Sequence, residues 1–261
     1  MDTEFEAKTD GLIISNSEHH HHGDGQDHDH DHDHAEDGAD DQASADLIES
    51  ADEIDGKQSD DALSGGRGDD LIEGEQGNDS IEAGAGNDTV NGGAGADEIE
   101  AGAGDDLVSG GDGSDQLEGE QGNDTIEAGD GDDTVDGGSG ADEVEAGGGD
   151  DLVNGAKGDD TLKGEQGDDT LDGGKGDDLL IGGKGGDTYV LSFGEDTIEG
   201  FTADDQIVLS EELIAAGVKR SDVQVREVIL EGKESAWLTF EVDGREHRTT
   251  VIGTKDAIEE I

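Results

Sequence analysis

Fourteen aspartates spaced nine residues apart are the groups in this chain best suited to chemistry. They are Asp70, Asp79, Asp88, Asp97, Asp106, Asp115, Asp124, Asp133, Asp142, Asp151, Asp160, Asp169, Asp178 and Asp187. A carboxylate is a hard, anionic oxygen donor, and a long row of them is a site for hard cations. Stacked a few ångströms apart without counterions, such groups repel by about a kcal/mol or more per pair at intermediate dielectric. The row therefore calls for metal between its members.

The element that positions them is a nine-residue unit. It runs fourteen times from Gly65 to Val190 without insertion or deletion, always with Gly fourth and Asp sixth. GGRGDDLIE from Gly65 and GEQGNDTIE from Gly119 show the grammar. The eighth residue is always apolar or aromatic, from Ile72 through Leu117 to Tyr189. Small residues at positions one to four suit a tight turn that aims carbonyls inward. The last three residues suit a short strand, whose alternation places position eight on one face and positions seven and nine on the other. A fixed short period means that each unit buries its apolar face against neighbouring units, which predicts a solenoid. Two turn-strand units close one coil in eighteen residues, so units n and n+2 stack at about 4.8 Å and the aspartates form two ladders.

Calcium suits such ladders because it accepts six or more carboxylate and carbonyl oxygens in flexible geometry, whereas magnesium demands a small octahedron and retains water. Zinc and copper favour His or Cys, and neither residue occurs between Ala35 and Glu246. With one ion between each n and n+2 pair, at most twelve ions bring 24 positive charges to a block that carries −31. One apolar residue in nine is too little to offset the backbone entropy of folding. Folding coupled to metal binding is the expectation.

Composition excludes other classes. A net charge of −60, from 74 acidic and 14 basic residues, disfavours nucleic acid and anionic membrane as direct partners. Hydrophobic residues are 28% and aromatics 2%, which without the period would predict disorder. There is no Cys for disulfides or thiolate sites. The 47 glycines fall in no three-residue period and there is no Pro, so collagen is excluded. The N-terminus MDTEFEAKTDGLIISNSE has no basic region and no apolar run longer than Leu12 to Ile14, so neither a conventional cleaved signal peptide nor a transmembrane segment is expected.

The unit resembles the calcium-binding nonapeptide GGxGxDxUx of RTX (hemolysin-type) proteins. The resemblance implies an all-β fold, a right-handed parallel β-roll, with calcium held between turn loops by the fourteen aspartates and backbone carbonyls of the Gly-rich turns. A small mixed β/α C-terminal cap and a disordered N-terminus complete the expected architecture. Position two departs from the pattern at Glu75, Glu120, Glu165 and Ala156, so a different loop geometry or affinity is expected there. The segment from Gly74 to Glu118 is echoed from Gly119 to Lys163, as in an internal duplication of five units, or two and a half coils.

The expected segments are an acidic, His-rich tail at residues 1–46, degenerate capping repeats at 47–64, the roll at 65–190, and a cap at 191–261. After Val190 the period breaks into LSFGEDTIEGFTADDQIVLS. SEELIAAG then reads as a short helix with Ser210 as N-cap and Gly217 at its end. Strands are expected at 223–230, 236–242 and 249–252, with Trp237, Phe240 and Phe201 forming a small core. The resemblance implies a secretion signal near the C-terminus, read by a type I exporter of Gram-negative bacteria. The ending KDAIEEI is compatible with one, and equally with a terminal helix from Thr254.

His19, His20, His21, His22, His28, His30, His32 and His34 interleave with acids in the N-terminal tail. Chelation of zinc, nickel or copper and a merely titrating polyelectrolyte are both open readings. No catalytic function is expected. About 46 residues precede the first faint repeat, HExxH and GxSxG are absent, and the GGKG runs lack the following Ser or Thr of a phosphate loop. Two roles remain: a secreted calcium-binding roll acting as extracellular buffer, matrix or surface component, and a calcium-dependent adhesin or membrane-active protein.

Overall fold

The computed structural model describes residues 42–44, 51–230 and 233–253. The N-terminal histidine tract and the KDAIEEI ending lie outside the described residues.

Period-two alternation organises every coil. The sixth, eighth and next first positions point inward, so Asp124, Ile126 and Ala128 are all buried while Thr125 and Glu127 are exposed. The eighth-position residues form two apolar columns, Leu63-Ile81-Ile99-Leu117 and onward in one and Ile72-Val90-Val108-Ile126 and onward in the other. Every member from Ile72 to Tyr189 is 0–2% exposed.

The columns line two parallel sheets. Strands alternate between them in chain order, so each strand pairs with the one eighteen residues on, as Ile126 pairs with Val108 on one side and Val144 on the other. The first sheet has ten strands, from Gln42–Ser44 to Gln206–Leu209. The second has twelve, of which nine belong to the roll and end at Thr197–Phe201. The chain is therefore an all-β parallel solenoid with one short α-helix among the described residues.

The coil outlasts the expected period at both ends. Ile54 and Leu63 enter the core columns from the degenerate repeats. Beyond Val190, Ile198 and Ile207 continue them, because LSFGEDTIE and the following GFTADDQIV still carry Asp sixth and Ile eighth.

The cap follows. Ser210 accepts the Leu213 N–H and starts the helix Glu211–Ala215, and Gly217 ends it with φ +91°. A hairpin of Gln224–Leu230 and Lys233–Val242 leads to Arg245–Gly253, which returns to pair parallel with Thr197–Phe201. Phe201 and Phe240 are buried as expected, and Phe201 packs 5.9 Å from the Tyr189 ring. Trp237 is only partly buried and does not join them. It sits on the alternate face of its strand with Arg226 and Arg248 at 5.6 and 5.2 Å from its ring, a cation–π arrangement.

Candidate functional site

Each ladder aspartate uses its two oxygens differently. Oδ1 accepts the backbone N–H of the aspartate one coil below: Asp88 from Asp70 at 2.7 Å, Asp97 from Asp79 at 2.8 Å, Asp142 from Asp124 at 2.9 Å. Oδ2 is buried and, for every ladder member from Asp70 to Asp178, meets no hydrogen-bond donor. Fifteen residues at 0–3% exposure from Asp61 to Asp187 thus form two rows of desolvated carboxylates.

Those oxygens face backbone carbonyls. A methyl group on Gly65 would lie 2.5 Å from Asp70 Oδ2 and 2.6 Å from the Ala83 carbonyl oxygen in the coil above; at Gly119 the corresponding distances, to Asp124 Oδ2 and the Gly137 carbonyl, are both 2.6 Å. The two oxygens are therefore at most about 5 Å apart, a span one calcium ion bridges at its usual 2.3–2.6 Å ligand distance. Where the first position is Ala83, Ala101, Ala128 or Ala146, a fully buried methyl narrows this space.

Burial from water is the main electrostatic consequence. It pushes Asp79, Asp88, Asp133, Asp169 and Asp178 up to about 6, and Asp124 and Asp160 up to about 7. The peptide N–H bond opposes the rise, and the carboxylates above and below reinforce it. Asp70, Asp97, Asp106, Asp115, Asp142, Asp151 and Asp187 are raised in the same direction, again chiefly by burial.

Among the described residues, no three His, Cys, Asp or Glu side chains converge on one point. A cation here must draw on one carboxylate per loop together with peptide carbonyls. That donor set is all oxygen, and it suits calcium rather than zinc or copper. The structure thus brings the fourteen expected aspartates into two columns. It adds Asp61 at one end and Asp196 and Asp205 at the other, the last two accepting the N–H groups of Asp178 and Asp187 at 3.4 and 2.9 Å. The eight tail histidines lie outside the described residues.

Position two stays left-handed despite the departures. Glu75, Glu120, Ala156 and Glu165 take φ of 66–75°, lower than the 87–120° of the glycines at that position in the other units. The turn is kept at a local backbone cost of about 1 kcal/mol each.

A second ladder was missed. Position-five side chains accept N–H groups from the coil above, opposite in sense to position six: Asn123 from Ala141, Asp150 from Asp168, Asp168 from Gly186, each at 2.8–2.9 Å. The signal was present, since position five is Asp, Asn or Ser in eleven of the fourteen units. Interchange of Asp with Asn marks an acceptor role rather than a need for charge.

A solenoid whose buried carboxylate rows face carbonyl-lined turns defines a calcium-binding repeat protein. The model of the RTX calcium-binding nonapeptide repeat (4 copies) matches eight overlapping stretches, at 49–81, 73–108, 82–117, 109–144, 127–162, 145–180, 154–189 and 181–211. The chain belongs to that family. Among solved structures, it is similar to the extracellular lipase LipA from Serratia marcescens, at 20% sequence identity and a TM-score of 0.33. The alignment covers 77% of this chain and 38% of the lipase, so the chain spans well under half of that protein. No curated protein matches the chain. Among the described residues, no helix is long and apolar enough to cross a membrane.

Proposed function

We propose that this chain is exported unfolded by a type I system and folds outside the cell as its ladders fill with calcium. There it serves as an extracellular buffer, matrix or surface component. The fourteen aspartates from Asp70 to Asp187 hold the ions together with turn carbonyls, with Asp61 and Asp196 as further ligands at the two ends. Bound calcium supplies the positive charge that lets stacked carboxylates coexist, and the chain supplies spacing, desolvation and oxygen donors.

One observation carries this reading: an unbroken series of buried Oδ2 atoms without a donor. A buried charged oxygen left unsatisfied is costly, and a repeated one is a site awaiting its ligand. Sites of roughly 10⁻⁴ to 10⁻³ M affinity stay empty in the cytosol and fill outside, which couples export to folding. The test is circular dichroism of the full chain in chelator and in millimolar calcium, with calorimetry for stoichiometry. The expected result is β signal only with calcium and about twelve ions bound within the fourteen units, with up to one more at each end. Equal β content in both conditions, or no binding heat, overturns it.

A further inference from the structure

The column Asp151-Asp169-Asp187 ends on a loop built unlike those beneath it. In eight loops, from Gly56 to Gly164, a methyl group on the first-position glycine would press on two oxygens: Oδ2 of the aspartate in its own unit and the first-position carbonyl of the coil above. At Gly164 these are Asp169 Oδ2 and the Gly182 carbonyl. At Gly182 the same methyl would meet Asp187 Oδ2 and, at 2.6 Å, the Tyr189 hydroxyl. A phenol oxygen stands where a peptide carbonyl stands elsewhere.

The coil above has withdrawn at this point. Pairing between Thr161–Gln166 and Leu179–Lys184 runs on to Gln166 with Lys184, but one coil later it stops at Ile181 with Glu199. First-position N–H groups lower in the roll donate to a carbonyl of the coil above, Gly137 to Asn154 and Gly155 to Asp172, each at 2.8 Å. The Gly182 N–H donates instead to the Tyr189 hydroxyl, also at 2.8 Å. Asp205, next in the column, has both carboxylate oxygens engaged by backbone, one by the Asp187 N–H at 2.9 Å and the other by the Thr202 N–H at 2.7 Å. Asp187 is therefore the last member that repeats the arrangement of the ladder.

Tyr189 is alone at position eight in carrying a polar atom. It is 0% exposed, and the Phe201 ring 5.9 Å away closes the core over it. A hydroxyl oxygen has two lone pairs, and the Gly182 N–H takes one of them. Calcium accepts neutral oxygens, those of water and carbonyls, alongside carboxylates.

We propose that the Tyr189 hydroxyl is a calcium ligand, replacing the missing carbonyl at the site of Asp187. The proposal rests on the calcium reading above and adds a side-chain oxygen to it. The hydroxyl and Asp187 Oδ2 are at most about 5 Å apart, the span that serves the loops below.

Native mass spectrometry of the full chain in calcium counts the ions. Tyr189→Phe keeps the ring and removes the oxygen, while Asp187→Asn keeps an acceptor for the Asp169 N–H, now at 3.1 Å. Each variant is expected to bind one ion fewer than the unaltered chain, and the double variant also one fewer, because both changes empty the same site. An unchanged count in Tyr189→Phe, or two ions missing from the double variant, overturns the proposal. An unaltered chain that binds no calcium overturns it together with the reading on which it rests. If Tyr189→Phe loses its calcium-induced β signal, terbium reports on the tyrosine directly, since Tyr189 and Trp237 are the only residues of their kinds. In Trp237→Phe, terbium emission excited through the phenol is expected, and adding Asp187→Asn should remove most of it. Emission indifferent to Asp187→Asn overturns the proposal.

Discussion

Thr249 Oγ1 lies 3.4 Å from Asp196 Oδ2, at the level where the next coil of the roll would present its own ladder carboxylate. The backbone imitates that coil: Thr250 N–H donates to the Asp196 carbonyl at 2.8 Å, as Thr197 N–H does to Asp178 at 2.7 Å. Arg248 in turn holds Glu195 at 2.6 Å. A strand from fifty residues downstream thus ends the acidic ladder with a neutral hydroxyl and a cation. Thr249→Asp should extend the ladder by one charge against Asp196, whose carboxyl burial already pushes up to about 7. The expected outcome is a higher calcium midpoint for folding, with one additional ion bound at saturation. Calcium titrations followed by dichroism and calorimetry measure it, and an unchanged midpoint with unchanged stoichiometry would count against the ladder mechanism.

Asp124→Asn separates the two oxygens of one ladder residue. The amide oxygen still accepts the Asp106 N–H, now at 2.9 Å, but the charge and the second anionic oxygen are gone. Calcium stoichiometry should fall by one or two, because the loop keeps its peptide bond but loses an anionic ligand. Calorimetry reads the stoichiometry, and dichroism in millimolar calcium shows that the roll still folds. An unchanged number of bound ions would mean that the Asp124 carboxylate is not a ligand.

The ladder carboxyls have folded-state values raised from the ordinary 3.8 to about 6 at Asp79 and Asp169 and about 7 at Asp124 and Asp160. For a raised acid the folded state binds more protons than the unfolded chain. Its stabilising contribution is fully present below about pH 4 and is lost as pH rises through 6 to 7. Without calcium, β content should therefore increase on acidification from pH 8 to pH 5. With calcium the trend reverses, since protons compete for the same oxygens and binding releases them. Dichroism in chelator across this range tests the first part, and calorimetry in two buffers of different ionisation enthalpy tests the second.

Glycine matters unequally within the turn. Gly122 has φ +140°, and a methyl there would collide with the Gly104 carbonyl of the coil below, so Gly122→Ala should disrupt the loop in any solution condition. Glu120, two residues before it, has φ +67° and contributes no ladder bond through its side chain. Glu120→Gly should raise thermal stability by about 1 kcal/mol by relieving left-handed strain. A destabilised Glu120→Gly variant would assign that side chain a role of its own.

The sequence disclosed what repeats and hid what does not. Period, core column and acidic ladders were legible because one residue type occupies each position fourteen times, and period-two alternation then fixes direction. Asp196 and Asp205 were passed over because the first unit loses its two leading glycines and the second, which keeps Gly200, has Ala203 in place of the fourth-position glycine, although the inward Asp and Ile persist. The return strand Arg245–Gly253 was readable as a strand but not as the terminator of the second sheet, since a contact fifty residues distant leaves no local pattern. Trp237 misled because a large aromatic suggests a core, whereas strand parity and two arginines place it outside.

The last prediction concerns how far damage travels. Ile126 is 0% exposed and its strand pairs only with those of Val108 and Val144, so each coil meets only its neighbours. Ile126→Ala should cost about 2–4 kcal/mol through lost burial and the cavity left behind. In a quasi-one-dimensional array that loss falls on the nearest coils rather than on the whole roll. With calcium bound, hydrogen exchange should accelerate in residues 107–112, 125–130 and 143–148 and remain slow near Leu180 and Tyr189. Uniform acceleration along the chain would mean that the two ladders fold as one cooperative unit, with calcium coupling every coil to every other.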